Sequence, residues 1–191
     1  MTAPEARRGP ARLQLLLIAA LFLGPLALAA LMYYGAVGLK PSGRSNHGVL
    51  LEPVRHLSEE HPELRELSGG QWLLVYANDG ACSGNCREAL HTLRQARLML
   101  GNDMNRITRL FLHAAIPPDR VFLDEQHKGL RTSDNAGLAQ DLRSALPQSV
   151  PADGFFLLDP LGNLVMYFRP ELGPREMVED IGHLLDLSRI G

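Results

Sequence analysis

The stretch WLLVYANDGACSGNC, residues 72–86, decides the fold and the chemistry expected of this chain. Trp72 to Ala77 is a continuous apolar run with aromatic and branched residues, which predicts a strand buried on both faces. The turn-rich residues that follow contain both cysteines of the chain, Cys82 and Cys86. From Cys86 onward apolar residues recur at helical spacing, and Gly101 is a good C-terminal stop. A buried strand is therefore expected to lead into a helix, with the cysteines at the junction.

This position favours a reactive sulfur atom. The dipole and the free N–H groups at a helix N-terminus stabilise a thiolate, so the pKa of a cysteine there falls and its sulfur becomes a nucleophile or a soft metal ligand. The four-residue spacing places Cys82 and Cys86 on one side of a helical turn, close enough for a disulfide or for two-point binding of Cu(I). A plain structural disulfide is the alternative, although a bridge closing so small a loop stabilises little through chain entropy.

The remaining pattern extends this unit towards the C-terminus. It predicts a strand over Ile107 to Ala115, a helix capped by Asp134 or Asn135, a hairpin of Phe155 to Asp159 with Leu164 to Phe168, and a last helix near Pro174. Strands that alternate with helices and end in a hairpin predict an α/β domain with one mixed sheet flanked by helices. We place this domain at residues 67–191, after a linker and N-terminal extension at 39–66.

An uncharged apolar stretch occupies the N-terminal region from Leu15 to Val37. As a helix it would span roughly 34 Å, enough for a hydrocarbon core of about 30 Å, so we predict one transmembrane helix over residues 13–38. The three arginines before it predict a cytoplasmic N-terminus, residues 1–12, and a C-terminal domain across the membrane. In a bacterium this is a single-pass protein of the inner membrane with a periplasmic domain. A cleaved signal peptide is the alternative, because Ala27-Leu28-Ala29 has the small-x-small form.

Composition excludes several classes of protein. Of the 19 basic and 21 acidic residues, four and one fall within the first 40 positions, which leaves 15 basic against 20 acidic residues beyond them. The exported part is therefore acidic, which argues against a nucleic-acid partner. Two cysteines suffice neither for a disulfide-rich scaffold nor for a four-cysteine zinc site.

Several segments, taken together, resemble a known family. The apolar anchor, the WLLVY strand and CxxxC are joined by NHGVLLEP at 46–53, RLFLHAAIPPDR at 109–120 and FFLLDPLGNLVMYF at 155–168. In this order they resemble the Sco/SenC proteins of cytochrome c oxidase assembly, and more narrowly the small membrane-anchored Sco-like proteins of bacterial oxidases. The resemblance implies a thioredoxin-like fold, a cytochrome c oxidase subunit as partner, and copper delivery or thiol reduction at the dinuclear copper site.

The resemblance also implies the site residues. Cys82 and Cys86 match the two thiolates of the family, as the catalytic pair and as two copper ligands. The third ligand of the family, a histidine before the strand that ends in Asp-Pro, has no counterpart, because no histidine occurs between His127 and His183. Arg87 also stands where the family has a proline after its second cysteine. The third copper ligand is therefore unassigned.

Other positions admit a functional and a plainer interpretation. His113 ends a strand expected beside the cysteine strand and could approach the sulfurs, but a solvent-facing histidine is the simpler view. Pro151 could be the cis-proline that faces the cysteines in thioredoxin-like redox proteins, or an ordinary loop proline. A group of four arginines could form a basic face or merely a solvated helix and strand edge: Arg94, Arg97, Arg106 and Arg109.

The leading hypothesis is a membrane-anchored assembly factor that acts on a cytochrome c oxidase subunit by thiol–disulfide exchange, copper delivery or both. Cys82, nearer the helix start, would attack, and Cys86 would resolve the mixed disulfide. Two alternatives stay open: a dithiol–disulfide oxidoreductase with broader protein substrates, and a non-catalytic scaffold of an oxidase complex.

Overall fold

The computed structural model describes residues 9–34, 46–113, 116 and 118–188. The chain divides into two compact units, residues 1–45 and 46–191. The first contains helix α1, Gly9–Tyr34. Its segment Arg12–Met32 has a mean hydropathy of 2.6 and is long and apolar enough to cross a membrane. The predicted span runs to residue 38, and its last four positions lie outside the described residues.

The second unit is built on one six-stranded mixed sheet. The strands are ordered β1-β6-β5-β2-β3-β4. Strands β2, β3 and β4 are parallel, whereas β5 is antiparallel to β2, β6 to β5 and β1 to β6. The strand bounds are β1 Val49–His56, β2 Trp72–Asn78, β3 Ile107–His113, β4 Leu130–Ser133, β5 Phe155–Leu158 and β6 Asn163–Phe168. The predicted α/β class with a mixed sheet flanked by helices is confirmed.

Strand β2 lies at the centre of the sheet because both of its faces are apolar. Its first six residues are buried, as the continuous apolar run predicts. Leu74 and Tyr76 belong to the core on one face, together with residues of α3 (Gly84–Met99) and α6 (Pro174–Leu187). Leu73 and Val75 belong to the core on the other face, with residues of α5 (Ala136–Ser144). Two apolar layers therefore hold the strand that leads to the cysteines.

Short-range side-chain bonds set the helix and hairpin ends. Of the two predicted caps of α5, Asn135 is the one that accepts a hydrogen bond from the Leu138 N–H, at 2.9 Å. The carboxylate of Asp159 accepts bonds from the N–H groups of Leu161 and Asn163, both at 2.9 Å, and closes the predicted hairpin. Gly162 in this turn has φ 84°, a conformation that favours glycine.

Five elements were not predicted from the sequence: the strands β1 and β4, the helices α2 (Leu64–Ser68) and α4 (Arg120–Gln126), and the 3-10 helix Gly101–Arg106. Strand β1 lies within the segment predicted as a linker and extension, and it is an edge strand that pairs only with β6. In its sequence VLLEPVRH, apolar and polar residues do not alternate regularly. The register of its pairing with β6 also shifts between Leu50 and Arg55. Strand β4 has four residues, LRTS, of which none is fully buried. A short, polar edge strand such as β4 therefore carries little periodic signal, and so does an irregularly paired edge strand such as β1.

Candidate functional site

The two cysteines form a disulfide at the junction between β2 and α3. The turn after β2 is shaped by Asn78, whose side-chain amide donates to the Gly80 carbonyl at 2.7 Å. Helix α3 then begins at Gly84, so that Cys82 precedes the helix and Cys86 lies in its first turn. The bond joins sulfurs on residues whose Cα atoms are 5.0 Å apart. The strand-to-helix placement is as predicted, and of the two arrangements that the spacing allows, a disulfide or a two-point Cu(I) site, the disulfide is present.

The two sulfurs differ in exposure. Cys86 is 4% exposed and packs in the core beneath α3, next to residues such as Leu90 and Tyr76. Cys82 is only half-buried and packs against the edge of the same core. Another protein can therefore reach Cys82 more easily than Cys86.

A cleft of about 690 Å³ opens beside the disulfide. Residues of β2, of the first turns of α3 and of the loop before β5 line it, and of the two cysteines Cys86 is the one in the lining. Tyr76 lies on its wall, stacked on Phe111 with ring centres 6.0 Å apart and tilted against Phe155. The polar and charged lining residues are Asn78, Ser83, Asn85, Glu88, Thr92 and Asp153. A cleft of this volume falls within the range of ligand-binding sites in proteins, roughly 300–1,000 Å³.

Two electrostatic effects of opposite sign act on a sulfur anion at this cleft. The N-cap residue of α3, Ser83, makes no side-chain capping bond, so the N–H groups of the first turn are available to a sulfur anion. The carboxylates of Glu88 and Asp153 act in the other direction, because negative charge disfavours a nearby anion. The pKa of Tyr76 shows the same environment: burial raises it above its usual value, and the charge of Asp153 raises it further.

The loop that carries Asp153 is fixed from below by Tyr167 on β6. The Tyr167 hydroxyl donates to the Pro151 carbonyl and accepts from the Gly154 N–H at 2.8 Å. A Cβ on Gly154 would lie 2.0 Å from the Phe168 carbonyl oxygen, so this position requires glycine. Among the residues that the structure describes, only the Glu52–Pro53 bond is cis. The cis interpretation of Pro151 is therefore wrong, and Pro151 is a trans loop proline.

No histidine lines the cleft among the described residues. His91 is exposed on α3, with its Nε2 3.4 Å from the Gln95 amide nitrogen. His113 lines a different cavity, formed with α4 and β4. His61 is committed elsewhere: its Nε2 lies 2.8 Å from Asp141 and its Nδ1 3.3 Å from Glu63. Within the described part of the chain, the cysteine pair thus has no imidazole among its cleft neighbours.

Sequence reasoning missed the residues around the disulfide that come from distant elements. Tyr76 was counted only as part of a buried strand, and Asp153 and Tyr167 received no role. Their contacts with one another arise from the pairing of β5 with β2 and β6, which a local pattern does not encode. The one available signal was the AspGly pair at 153–154, placed directly before the predicted hairpin.

The fold and the paired cysteines at the strand-to-helix junction define a thioredoxin-fold protein preceded by one apolar helix. The sequence of residues 72–188 matches the family described as transmembrane-like, thioredoxin-like, C-terminal domain, and residues 4–36 match its transmembrane-like N-terminal domain. The chain belongs to this family.

Solved structures share the fold at low sequence identity. The copper-bound ScoI of Arabidopsis thaliana is 13% identical, with a TM-score of 0.51, over 65% of this chain and 89% of that one. Sco1 of yeast is 17% identical, with a TM-score of 0.50, over 62% of this chain and 82% of that one. No curated protein matches the sequence. The Sco-like thioredoxin fold predicted from the resemblance is confirmed.

Proposed function

We propose that this chain is a membrane-anchored thiol–disulfide exchange protein that acts on the copper-site cysteines of a cytochrome c oxidase subunit outside the cytoplasmic membrane. The observation that carries the proposal is the Cys82–Cys86 disulfide at the N-terminus of α3, which joins the half-buried Cys82 to Cys86, a residue of the cleft lining. The resemblance to Sco/SenC proteins supports the choice of partner.

The apolar helix and the basic residues before it support the proposed location. Residues 13–38 would span the inner membrane, residues 1–12 would lie in the cytoplasm, and residues 67–191 would act in the periplasm after the 39–66 segment. This arrangement places the disulfide in an oxidising compartment, where exchange reactions between protein thiols take place.

The exchange follows from the two sulfurs. Once an external dithiol has reduced the Cys82–Cys86 bond and been oxidised to its own disulfide, the Cys82 thiolate attacks one sulfur of a target disulfide, forms a mixed disulfide and releases the other target sulfur as a thiolate. The Cys86 thiolate then attacks the Cys82 sulfur, restores the Cys82–Cys86 bond and releases the second target thiolate. Two electrons pass from the pair to the target, and the two target thiolates take their protons from water. The reverse sequence oxidises a target dithiol.

The lining of the cleft predicts the character of the target segment. Glu88 and Asp153 are the charged residues of the lining, and both are acidic. A segment without acidic side chains, or with a basic one, would approach Cys82 without like-charge repulsion. The apolar wall formed by Tyr76 and Phe155 offers a contact for an apolar residue next to the target cysteine.

Copper delivery is the second candidate, and one observation favours it: reduction of the adjacent pair leaves two thiolates, which are soft ligands that select Cu(I). Copper would be the cargo of the protein. Because no histidine lines the cleft among the described residues, the two sulfurs would hold the ion without the third ligand of the family. Competition titration of the reduced protein with a Cu(I) chelator tests this candidate, and the Cys82→Ser, Cys86→Ser double variant is its control.

Trapping of mixed disulfides tests the main proposal. In cells that express the full chain, Cys86→Ser should accumulate a mixed disulfide through Cys82 with the oxidase subunit, and a thiol reductant should dissolve it. Cys82→Ser, which keeps only the buried sulfur, is the matched control and should trap far less. Equal trapping by both variants, or by neither, contradicts the proposal. Normal oxidase assembly in the double variant, with loss of assembly in a deletion strain, would establish the scaffold alternative instead.

A further inference from the structure

A basic cavity of about 370 Å³ lies away from the disulfide, between α3, β3 and the end of α4. Arg94 and Arg97 line it from α3, Arg109 from β3, and Lys128 from the residues after α4. Glu125 is the acidic residue of the lining, so four positive charges face one negative charge. Arg106, grouped with these arginines in the sequence, instead donates to the carbonyls of Leu185 and Ser188.

Arg109 is the unusual member of this group. The simpler sequence interpretation, a solvated basic edge, is wrong for it, because its side chain is only 3% exposed. Its Nη2 donates to the Lys128 carbonyl at 2.7 Å, but its Nε and Nη1 are buried without a hydrogen-bond partner. Buried donors are nearly always paired, and a buried guanidinium without a counter-charge is strongly unfavourable.

The surroundings do not supply the missing charge. Within the described part of the chain, Arg94, Arg97, Arg109 and Lys128 form no ion pair. Arg97 donates its Nε to the Ile107 carbonyl at 2.8 Å, which leaves its positive charge unbalanced. The pKa of Arg109 is lowered to about 10, first by burial and then by the charges of Arg97 and Arg94.

We propose that this cavity binds a phosphate group, held by Arg94, Arg97 and Arg109. The planar guanidinium offers parallel N–H donors that match two oxygens of a phosphate, and a second and third arginine supply the remaining bonds. The exposed Arg94 and Lys128 side chains can turn towards the group as it enters. Free phosphate and the phosphate of a lipid headgroup share this chemistry.

His127 provides a reporter next to the site. Its ring is buried, and its pKa is lowered to about 4, first by burial and then by the charges of Arg109, Arg94 and His91. A bound phosphate would offset the arginine charges, so the pKa of His127 should rise when the site fills. A merely structural basic cluster would leave the pKa of His127 unchanged.

The experiment uses the full chain in nanodiscs and follows the His127 ring signals by NMR. In discs of phosphatidylcholine, inorganic phosphate is titrated against chloride at constant ionic strength; in the second arm, phosphatidylglycerol replaces part of the lipid and no phosphate is added. A saturable rise in the pKa of His127 in the first arm identifies free phosphate as the ligand. A rise in the second arm alone identifies the phosphate of an anionic lipid headgroup, and a rise in both arms shows that the site accepts either source.

Charge variants complete the test. Arg94→Gln changes an exposed side chain, so the fold should persist, and it should weaken binding about tenfold through the loss of one charge-assisted bond. Arg175→Gln, which removes an exposed arginine of α6 outside the cavity, is the matched control and should bind as the wild type does. If the pKa of His127 moves in neither arm, or if both variants weaken binding equally, the proposal is overturned.

Discussion

Tyr167→Phe removes a single oxygen atom from the interior, beneath the loop that forms one wall of the cleft. The side chain of Tyr167 is fully buried, and its hydroxyl bonds the Pro151 carbonyl and the Gly154 N–H. Pro151 is exposed, so its carbonyl can turn to water after the substitution, whereas the buried Gly154 N–H cannot. An orphaned buried donor costs about 1–3 kcal/mol. We therefore expect the free energy of unfolding to fall by about 2 kcal/mol at neutral pH.

The same hydroxyl predicts how stability depends on pH. The pKa of Tyr167 is raised from 10.0 to about 12, first by burial and to a smaller extent by the charges of Asp153 and Glu171. The unfolded chain therefore loses this proton about two pH units before the folded chain does. Stability from this group is complete below about pH 10 and is lost as the pH rises towards about 12, with a total of about 3 kcal/mol. Tyr167→Phe should lack this loss.

Urea titration of the full chain in non-ionic detergent measures both the loss of stability at neutral pH and its pH dependence. Unfolding is monitored by the fluorescence of Trp72, the one tryptophan of the chain and a buried core residue. Ultraviolet absorbance of tyrosinate compares wild type with variant: Tyr167→Phe should remove one late-ionising group and leave Tyr76, whose pKa is also raised. Two results would refute the reasoning: a stability within about 0.5 kcal/mol of the wild type at neutral pH, or curves for wild type and variant that stay parallel between about pH 10 and 12.

Three further predictions concern other parts of the domain. Reduction of the Cys82–Cys86 bond should leave the domain folded and lower the free energy of unfolding by only about 2 kcal/mol, because the closed loop is five residues long. A circular dichroism spectrum typical of an unfolded chain after reduction would contradict this. Asp180→Ala should lower the free energy of unfolding in urea by about 3 kcal/mol and speed amide exchange in β1, because the Asp180 carboxylate accepts from the His47 and Gly48 N–H groups at 3.1 and 2.7 Å. Unchanged exchange at Val49 and Leu50 would contradict this prediction. The pKa of His127 is lowered from 6.5 to about 4, chiefly by burial, so its contribution to stability should be complete above about pH 6.5 and fall by about 3 kcal/mol as the pH drops towards 4. His127→Gln should flatten this part of the curve of unfolding free energy against pH. An equally steep loss in the variant would exclude His127 as its source.

The sequence predicted those parts of the fold whose signal is local. The run from Trp72 to Ala77 is apolar on both faces and can only be a central strand, and the Asp159-to-Asn163 turn identifies the β5–β6 hairpin. The cysteine pair followed from the same logic, because a strand and a helix joined by a short turn bring Cys82 and Cys86 together.

The rest of the site depends on contacts between distant segments. Asp180 of α6 holds the start of strand β1 at the sheet edge. Neither segment has a sequence pattern that predicts contact with the other. Asp153 reaches the cleft only because Tyr167 fixes its loop, and Arg109 is buried although its sequence neighbours suggest a solvated edge. Long-range pairing of this kind is set by the whole packed sheet, so single-segment patterns leave it undetermined.

The reduction potential of the Cys82–Cys86 pair tests the central claim most directly. Full-length protein is equilibrated in glutathione buffers of graded ratio, and the fraction of oxidised pair is read from alkylated thiols by mass spectrometry. An exchange-active pair with a half-buried sulfur at a helix N-terminus should be reduced reversibly, with a potential above about −300 mV. A pair that stays oxidised throughout, with a potential below that value, would be an inert structural bridge and would contradict the account.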